Sequence, residues 1–205
     1  LSLAATAPAD EVWTIVIGEA VATDEAVRVA VDDFIETATK HSITVSRTAA
    51  AELPDGNVIL LGDAARNALV GSLAGPKTTP PEDEQGYAIR TIERDGRRIV
   101  TIAGGSIIGD VYGLYWRWDR LRVYRRIPDI NVVRTPAMRV RVGAAWGRRG
   151  AGGSTKAQMR QSLRHSTNWV SGPAVLDLVP WNSDPEATLN EANRQRTREL
   201  IDYAH

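Results

Sequence analysis

The chain has 205 residues, with 25 lysines and arginines balanced by 25 aspartates and glutamates, and is 43% hydrophobic and 24% charged. That is the make-up of an ordinary globular protein, long enough for one large domain or for one compact domain and part of another. A balanced charge excludes a globally basic nucleic-acid binder, the lack of cysteine excludes disulfides, thiolate metal sites and a cysteine nucleophile, and no apolar run is long enough to span a bilayer.

In chain order, Leu1-Ser2-Leu3-Ala4-Ala5-Thr6-Ala7 has two readings. One is the tail of a signal peptide with an A-x-A site at Ala5-Thr6-Ala7, which implies a secreted or periplasmic protein. The other is a short disordered terminus covering residues 1–9. The first residue is Leu1 rather than an initiator Met, so the chain is expected to be part of a longer product. Val12 to Ile17, apolar and closed by Gly18, predicts a strand buried on both faces. Thr23, Asp24 and Glu25 cap a helix whose inner stripe is Val27, Ala30, Val31, Phe34, Ile35 and Ala38 and which ends near Lys40-His41. Ile43 to Ser46 alternates as a strand, and Asn57 to Leu61 is a second buried run. Asp63 is placed to cap a short helix to about Val70. The stretch from Gly71 to Glu84, with Gly75-Pro76 and Pro80-Pro81, reads as a surface loop. Gly86 to Glu93 and Arg97 to Ala103 then form a hairpin around Asp95-Gly96.

After Gly104-Gly105 the apolar residues Ile107, Val111, Leu114, Trp118 and Leu121 recur at helical spacing, and Ser106 is the natural cap. Gly113 costs about 1 kcal/mol relative to Ala in a helix, so it is expected to mark the close approach of another backbone. A glycine-rich strand-to-helix turn invites a nucleotide-binding reading. The dinucleotide pattern needs a glycine where Ser106 stands, and the P-loop needs Lys-Ser or Lys-Thr after Gly109, where the chain has Asp110-Val111. The whole reads βαββαββα, a mixed-sheet α/β (α+β) domain over residues 10–125, with helices expected on one face.

Arginines at 117, 120, 122, 125 and 126 crowd the end of that helix, as cations favoured at a helix C-terminus or at a polar seam, and 126–135 reads as a linker. Met138 to Ala145 then suits a strand, 146–153 a glycine-rich loop, and Ser154 or Thr155 the cap of a helix to about His165. Asn168-Trp169-Val170 begins another strand, Trp181 to Pro185 lies in a loop, and Glu186 to His205 is mostly helical. Strand–loop–helix repeated twice is how a (β/α)8 barrel begins, and 136–205 is far short of the about 250 residues of a complete one.

The helix motif carries a family resemblance. Gly109-Asp110-Val111-Tyr112-Gly113-Leu114 resembles the G-x-x-Y-G-hydrophobic signature of the zincin-like accessory domain that precedes the barrel in β-N-acetylhexosaminidases, with relatives in α-glucuronidases. In that family the helix is followed by Ile-Pro, here Ile127-Pro128, and then by P-x-F-x-x-R-G at the barrel entrance, here Pro136 to Val142. The resemblance spans roughly residues 10–142. It implies a fragment of a secreted glycoside hydrolase: an accessory domain, then the first units of a catalytic barrel whose remainder is the fragment's partner. The substrate would be an oligosaccharide or polysaccharide, and the acid pair would lie after a later strand, so no catalytic residue is assigned here. Arg141 falls on the family's first-strand arginine, which hydrogen-bonds sugar hydroxyls.

Loop aromatics Trp146 and Trp181 are candidates to stack on sugar rings, against the simpler reading of core packing. Arg148 and Arg149 follow the first barrel strand, and their guanidinium groups would suit an anionic glycan, against the simpler reading of solvated side chains. No cofactor, metal, nucleic-acid or membrane partner is expected. The alternative function is a non-catalytic carbohydrate-binding or interaction domain.

Overall fold

The computed structural model describes residues 11–73, 79–141 and 156–168, with 195, 198, 199 and 202. The chain divides into two compact units, 1–137 and 138–205.

In the first unit the short apolar runs become strands β1 (Val12–Ile17), β2 (Thr44–Thr48) and β3 (Asn57–Leu61). The hairpin strands are β4 (Tyr87–Arg94) and β5 (Arg97–Gly104), and β6 (Val132–Arg134) follows. Together they form one six-stranded sheet in the order β2-β1-β3-β5-β4-β6. Pairings β1–β2, β1–β3 and β3–β5 are parallel, while β4 runs antiparallel to both β5 and β6. The hairpin turns at Asp95 and Gly96, both with positive φ (52° and 72°), the geometry that matches the twist of a two-residue hairpin. Part of the stretch expected as a linker thus supplies an edge strand. Its three residues are too few for an alternation to stand out.

Helix α1 (Glu25–Lys40) starts where Asp24 accepts a hydrogen bond from the Val27 N–H at 3.0 Å. Helix α3 (Ile107–Tyr124) starts at Ser106, whose hydroxyl accepts from the Ile108 N–H at 3.2 Å and donates to the Glu84 carbonyl at 2.7 Å. It ends on Arg125, held at a left-handed φ of 53°. The two helices pack on each other. The seam is tied by the Tyr115 hydroxyl donating to Asp33 (2.8 Å) and the Trp118 indole N–H donating to Thr37 (2.8 Å).

Asp63 does not open a helix. Its carboxylate accepts from the Arg66 N–H in a turn, and helix α2 (Ala68–Leu73) begins later. Val70 of α2 packs with Val16, Val58, Leu60 and Ile99, so helices do not share one face as expected. Strand side chains alternate in direction, so these residues define one side, and Trp13, Ile15, Ile59, Leu61 and Ile102, all buried, point to the other. Both faces are covered, which is why β1 and β3 read as nearly continuous apolar runs, interrupted by Thr14 and opened by Asn57. Gly113 of α3 lies on that second side. A Cβ there would come within 2.6 Å of the Ile102 methyl, so the close approach is to a side chain rather than to a backbone.

In the second unit, helix α4 (Lys156–Arg164) is followed by a turn with Ser166 at φ 56°. The Asn168 N–H donates to the Arg141 carbonyl (3.1 Å), and the Arg141 N–H donates to the Asn168 side chain (2.7 Å). The expected strand from Met138 to Ala145 is not formed in its described part, 138–141, and the rest lies outside the described residues.

Candidate functional site

In an open α/β sheet a ligand ordinarily sits beyond the carboxyl ends of the strands, where neighbouring connections diverge. Here that place is between β1 and β3. It is filled by the turn after β3. The Asn67 amide donates to the carbonyls of Val16 (3.2 Å) and Leu61 (3.1 Å), sewing the two strand ends together. Gly18, which follows β1, meets the Arg66 carbonyl so closely that a Cβ would lie 1.7 Å from its oxygen.

The glycine-rich turn is packed in the same way. A Cβ on Gly104 would lie 2.2 Å from the Asp110 nitrogen, one on Gly105 2.1 Å from the Asp83 carbonyl oxygen, and one on Gly109 2.4 Å from the Gly86 carbonyl oxygen. The glycines make room for the protein's own backbone, which removes the phosphate-cradle reading. Asp110 completes the lock. It is fully buried, accepts from the Gly104 N–H at 2.6 Å and from Arg66 Nε at 2.9 Å, and Arg66 also donates to the Gly104 carbonyl at 2.6 Å. Burial pushes its pKa up to about 6, against the lowering effect of Arg66 and the Gly104 amide. The Gly109–Leu114 motif is therefore a packing device in this chain.

The opposite end of the sheet holds a cationic cluster. Arg98 stacks over Trp13 with its guanidinium carbon 4.8 Å from the ring centroid. Its donors are taken by Glu11, by the Ile127 carbonyl and by Asp129 at 3.0 Å. Arg117, read from sequence as one of several cations at a helix end, is instead fully buried, and its three guanidinium nitrogens have no hydrogen-bond partner among the described residues. Burial first, and the neighbouring Arg98 second, bring its pKa down to about 10, so it stays charged at neutral pH. Among the described residues no group of three or more His, Cys, Asp or Glu side chains could hold a metal ion.

Of the residues singled out for sugar binding, Arg141 is half-buried in the second unit. Its Nε donates to the Ser166 carbonyl (2.6 Å) and its Nη1 to the Met138 carbonyl (2.7 Å), holding the chain on either side of α4 together. Trp146, Arg148, Arg149 and Trp181 lie outside the described residues. The Arg66–Asp110 pair went unread because 44 residues separate its members and nothing local signals it.

No family model matches the chain, and no curated protein matches it. Solved structures do. One is a GH138 enzyme targeting pectin rhamnogalacturonan II, with a TM-score of 0.60 and 13% identity over 95% of this chain and 29% of that one. Another is CpGH84D, with a TM-score of 0.60 and 11% identity over 94% of this chain and 32% of that one. The shared property is the fold, a mixed α/β arrangement found in glycoside hydrolases with barrel-type folds. The chain spans about a third of the length of these structures.

Proposed function

We propose that the chain is the N-terminal part of a carbohydrate-degrading glycoside hydrolase. On this reading residues 10–125 form an accessory α/β domain that bears no ligand crevice between β1 and β3, 126–135 belong to it by supplying Ile127 and edge strand β6, and 136–205 open a catalytic barrel. The observation that carries the proposal is the likeness to two glycoside hydrolases across nearly the whole chain, each about three times as long. The sewn-up crevice supports it from another side, since it leaves the first unit a scaffold.

The chemistry of glycosidic cleavage needs two carboxyl groups flanking the bond. In this proposal they lie beyond His205, and Arg141, Trp146, Arg148, Arg149 and Trp181 contribute to the sugar-binding end of the barrel. The two loop arginines favour an anionic glycan through paired donors. Ala5-Thr6-Ala7, read as a signal-peptide cleavage site rather than as part of a disordered terminus, supports a secreted or periplasmic enzyme. The resemblance of the Gly109–Leu114 motif to hexosaminidase accessory domains supports the same reading, and the zincin-like description belongs to this proposal.

The test is to express the gene product through its natural C-terminus and assay release of reducing sugar from acidic and neutral glycans. Arg148→Ala and Arg149→Ala are expected to slow an acidic substrate more than its neutral analogue. A full-length product that binds glycans without cleaving any would favour the non-catalytic alternative.

A further inference from the structure

Tyr87 and Arg134 face each other across β4 and β6. Trp116 of α3 comes down beside them, half-buried, with the Arg134 guanidinium carbon 5.9 Å from its ring centroid and that of Arg120 at 4.8 Å. Two guanidinium groups thus share one indole. Both also act on the Tyr87 phenol, whose pKa burial pushes up to about 12 and the two cations pull down.

The Arg98–Trp13 stack shows what such an arrangement needs. A guanidinium lying over a ring uses its face there, and its N–H donors project from its edge toward acceptors in its own plane. For Arg98 those acceptors are present: Glu11, Asp129 and a backbone carbonyl. At Trp116 the stacking is repeated and the acceptors are not. The carboxylate paired with Arg120 is its chain neighbour Asp119, at 3.9 Å, and no carboxylate among the described residues pairs with Arg134. Arg134 is exposed and the Arg120 side chain is 32% exposed, so an outside ligand can reach both.

We propose that Trp116, Arg120 and Arg134 form a binding site for the carboxylates of an acidic glycan on the accessory unit. The assignment rests on the glycan-degrading reading for its choice of ligand. Stacked guanidinium groups whose edges meet no carboxylate at hydrogen-bond distance among the described residues match planar carboxylates through paired donors. A nucleic acid would call for a basic track along its backbone, and this chain carries no net charge.

The site is tested with the 205-residue chain by calorimetric titration of a galacturonate hexamer at low salt. The fully methyl-esterified hexamer serves as the uncharged control. The acid is expected to bind at least tenfold tighter than the ester. Arg120→Gln with Arg134→Gln should remove that preference, and the two single variants should each reduce it should the pair fail to fold. Arg122→Gln, whose cation stacks on Trp118 outside the corner, should leave it intact. Replacing both by Lys keeps the charge and loses the fork, so affinity should fall severalfold. Equal binding of acid and ester overturns the proposal. So does a loss shared by Arg122→Gln, or an arginine-dependent interaction with an oligonucleotide or anionic vesicles and none with the hexamer. The two readings fail separately: a full-length enzyme that cleaves glycans while the corner binds none sinks only this site, and binding at the corner without cleavage sinks only the catalytic reading.

Discussion

Two buried charged residues make opposite use of α3. Asp110, at its start, has donors from Arg66 and from the Gly104 amide, yet burial still raises its pKa to about 6. A carboxyl raised in this way holds its proton more tightly folded than unfolded, so its contribution to stability falls as pH rises from about 4 to 6. Two pKa units correspond to about 3 kcal/mol. Relative to Asp110→Asn, the wild type should lose about that much across this window and stay level on either side, as urea denaturation at a series of pH values would show. A difference that grew with pH would mean that the Arg66 pairing outweighs burial. Arg117, two turns further on, is buried without a hydrogen-bond partner among the described residues. Replacing an unpaired buried cation with a hydrophobe of similar length removes a desolvation cost, so Arg117→Met should stabilise the fold by about 1–3 kcal/mol. A clear loss of stability in the same denaturation experiment would reveal an acceptor for this guanidinium.

At the scale of elements, α3 is held by its seam with α1 and by the sheet beneath it. Trp118 is 9% exposed, meets Tyr115 edge-on at 6.0 Å between centroids and donates to Thr37. Trp118→Ala should cost about 3–5 kcal/mol, the range for removing a buried aromatic side chain. A denaturation midpoint near the wild-type value would count against the seam. Elements of this kind were legible in the sequence because their signals are local. β1 and β3 occupy the apolar runs that announced them, Asp24 and Ser106 cap where their side-chain chemistry suggested, and Asp95-Gly96 turns the hairpin. What escaped was set by tertiary contacts. The turn after β3 is not helical because Arg66 and Asn67 are recruited by strand ends and by Asp110, partners far along the chain. Burial of Arg117 and the Trp116 corner were hidden in a run of arginines whose spacing alone does not say which face each one takes.

For the whole first unit, the path after α3 matters. Ile127 is 1% exposed, its carbonyl accepts from Arg98, and β6 completes the sheet against β4. A fragment of residues 11–137 should therefore melt in one cooperative transition and at a higher temperature than 11–125, which lacks Ile127, Asp129 and β6. Equal melting temperatures would mean that the segment adds nothing to the fold. The closed crevice between β1 and β3 has a consequence for evolution. Gly18, Asn67, Gly104 and Gly109 tolerate no substitution for reasons of space and hydrogen bonding, so they should stay invariant among descendants of this domain whatever ligand those proteins come to serve. A conservation map would then mark the mouth of this sheet as if it were an active site. Variation at Trp116, Arg120 and Arg134, by contrast, would follow whatever ligand the proposed corner binds.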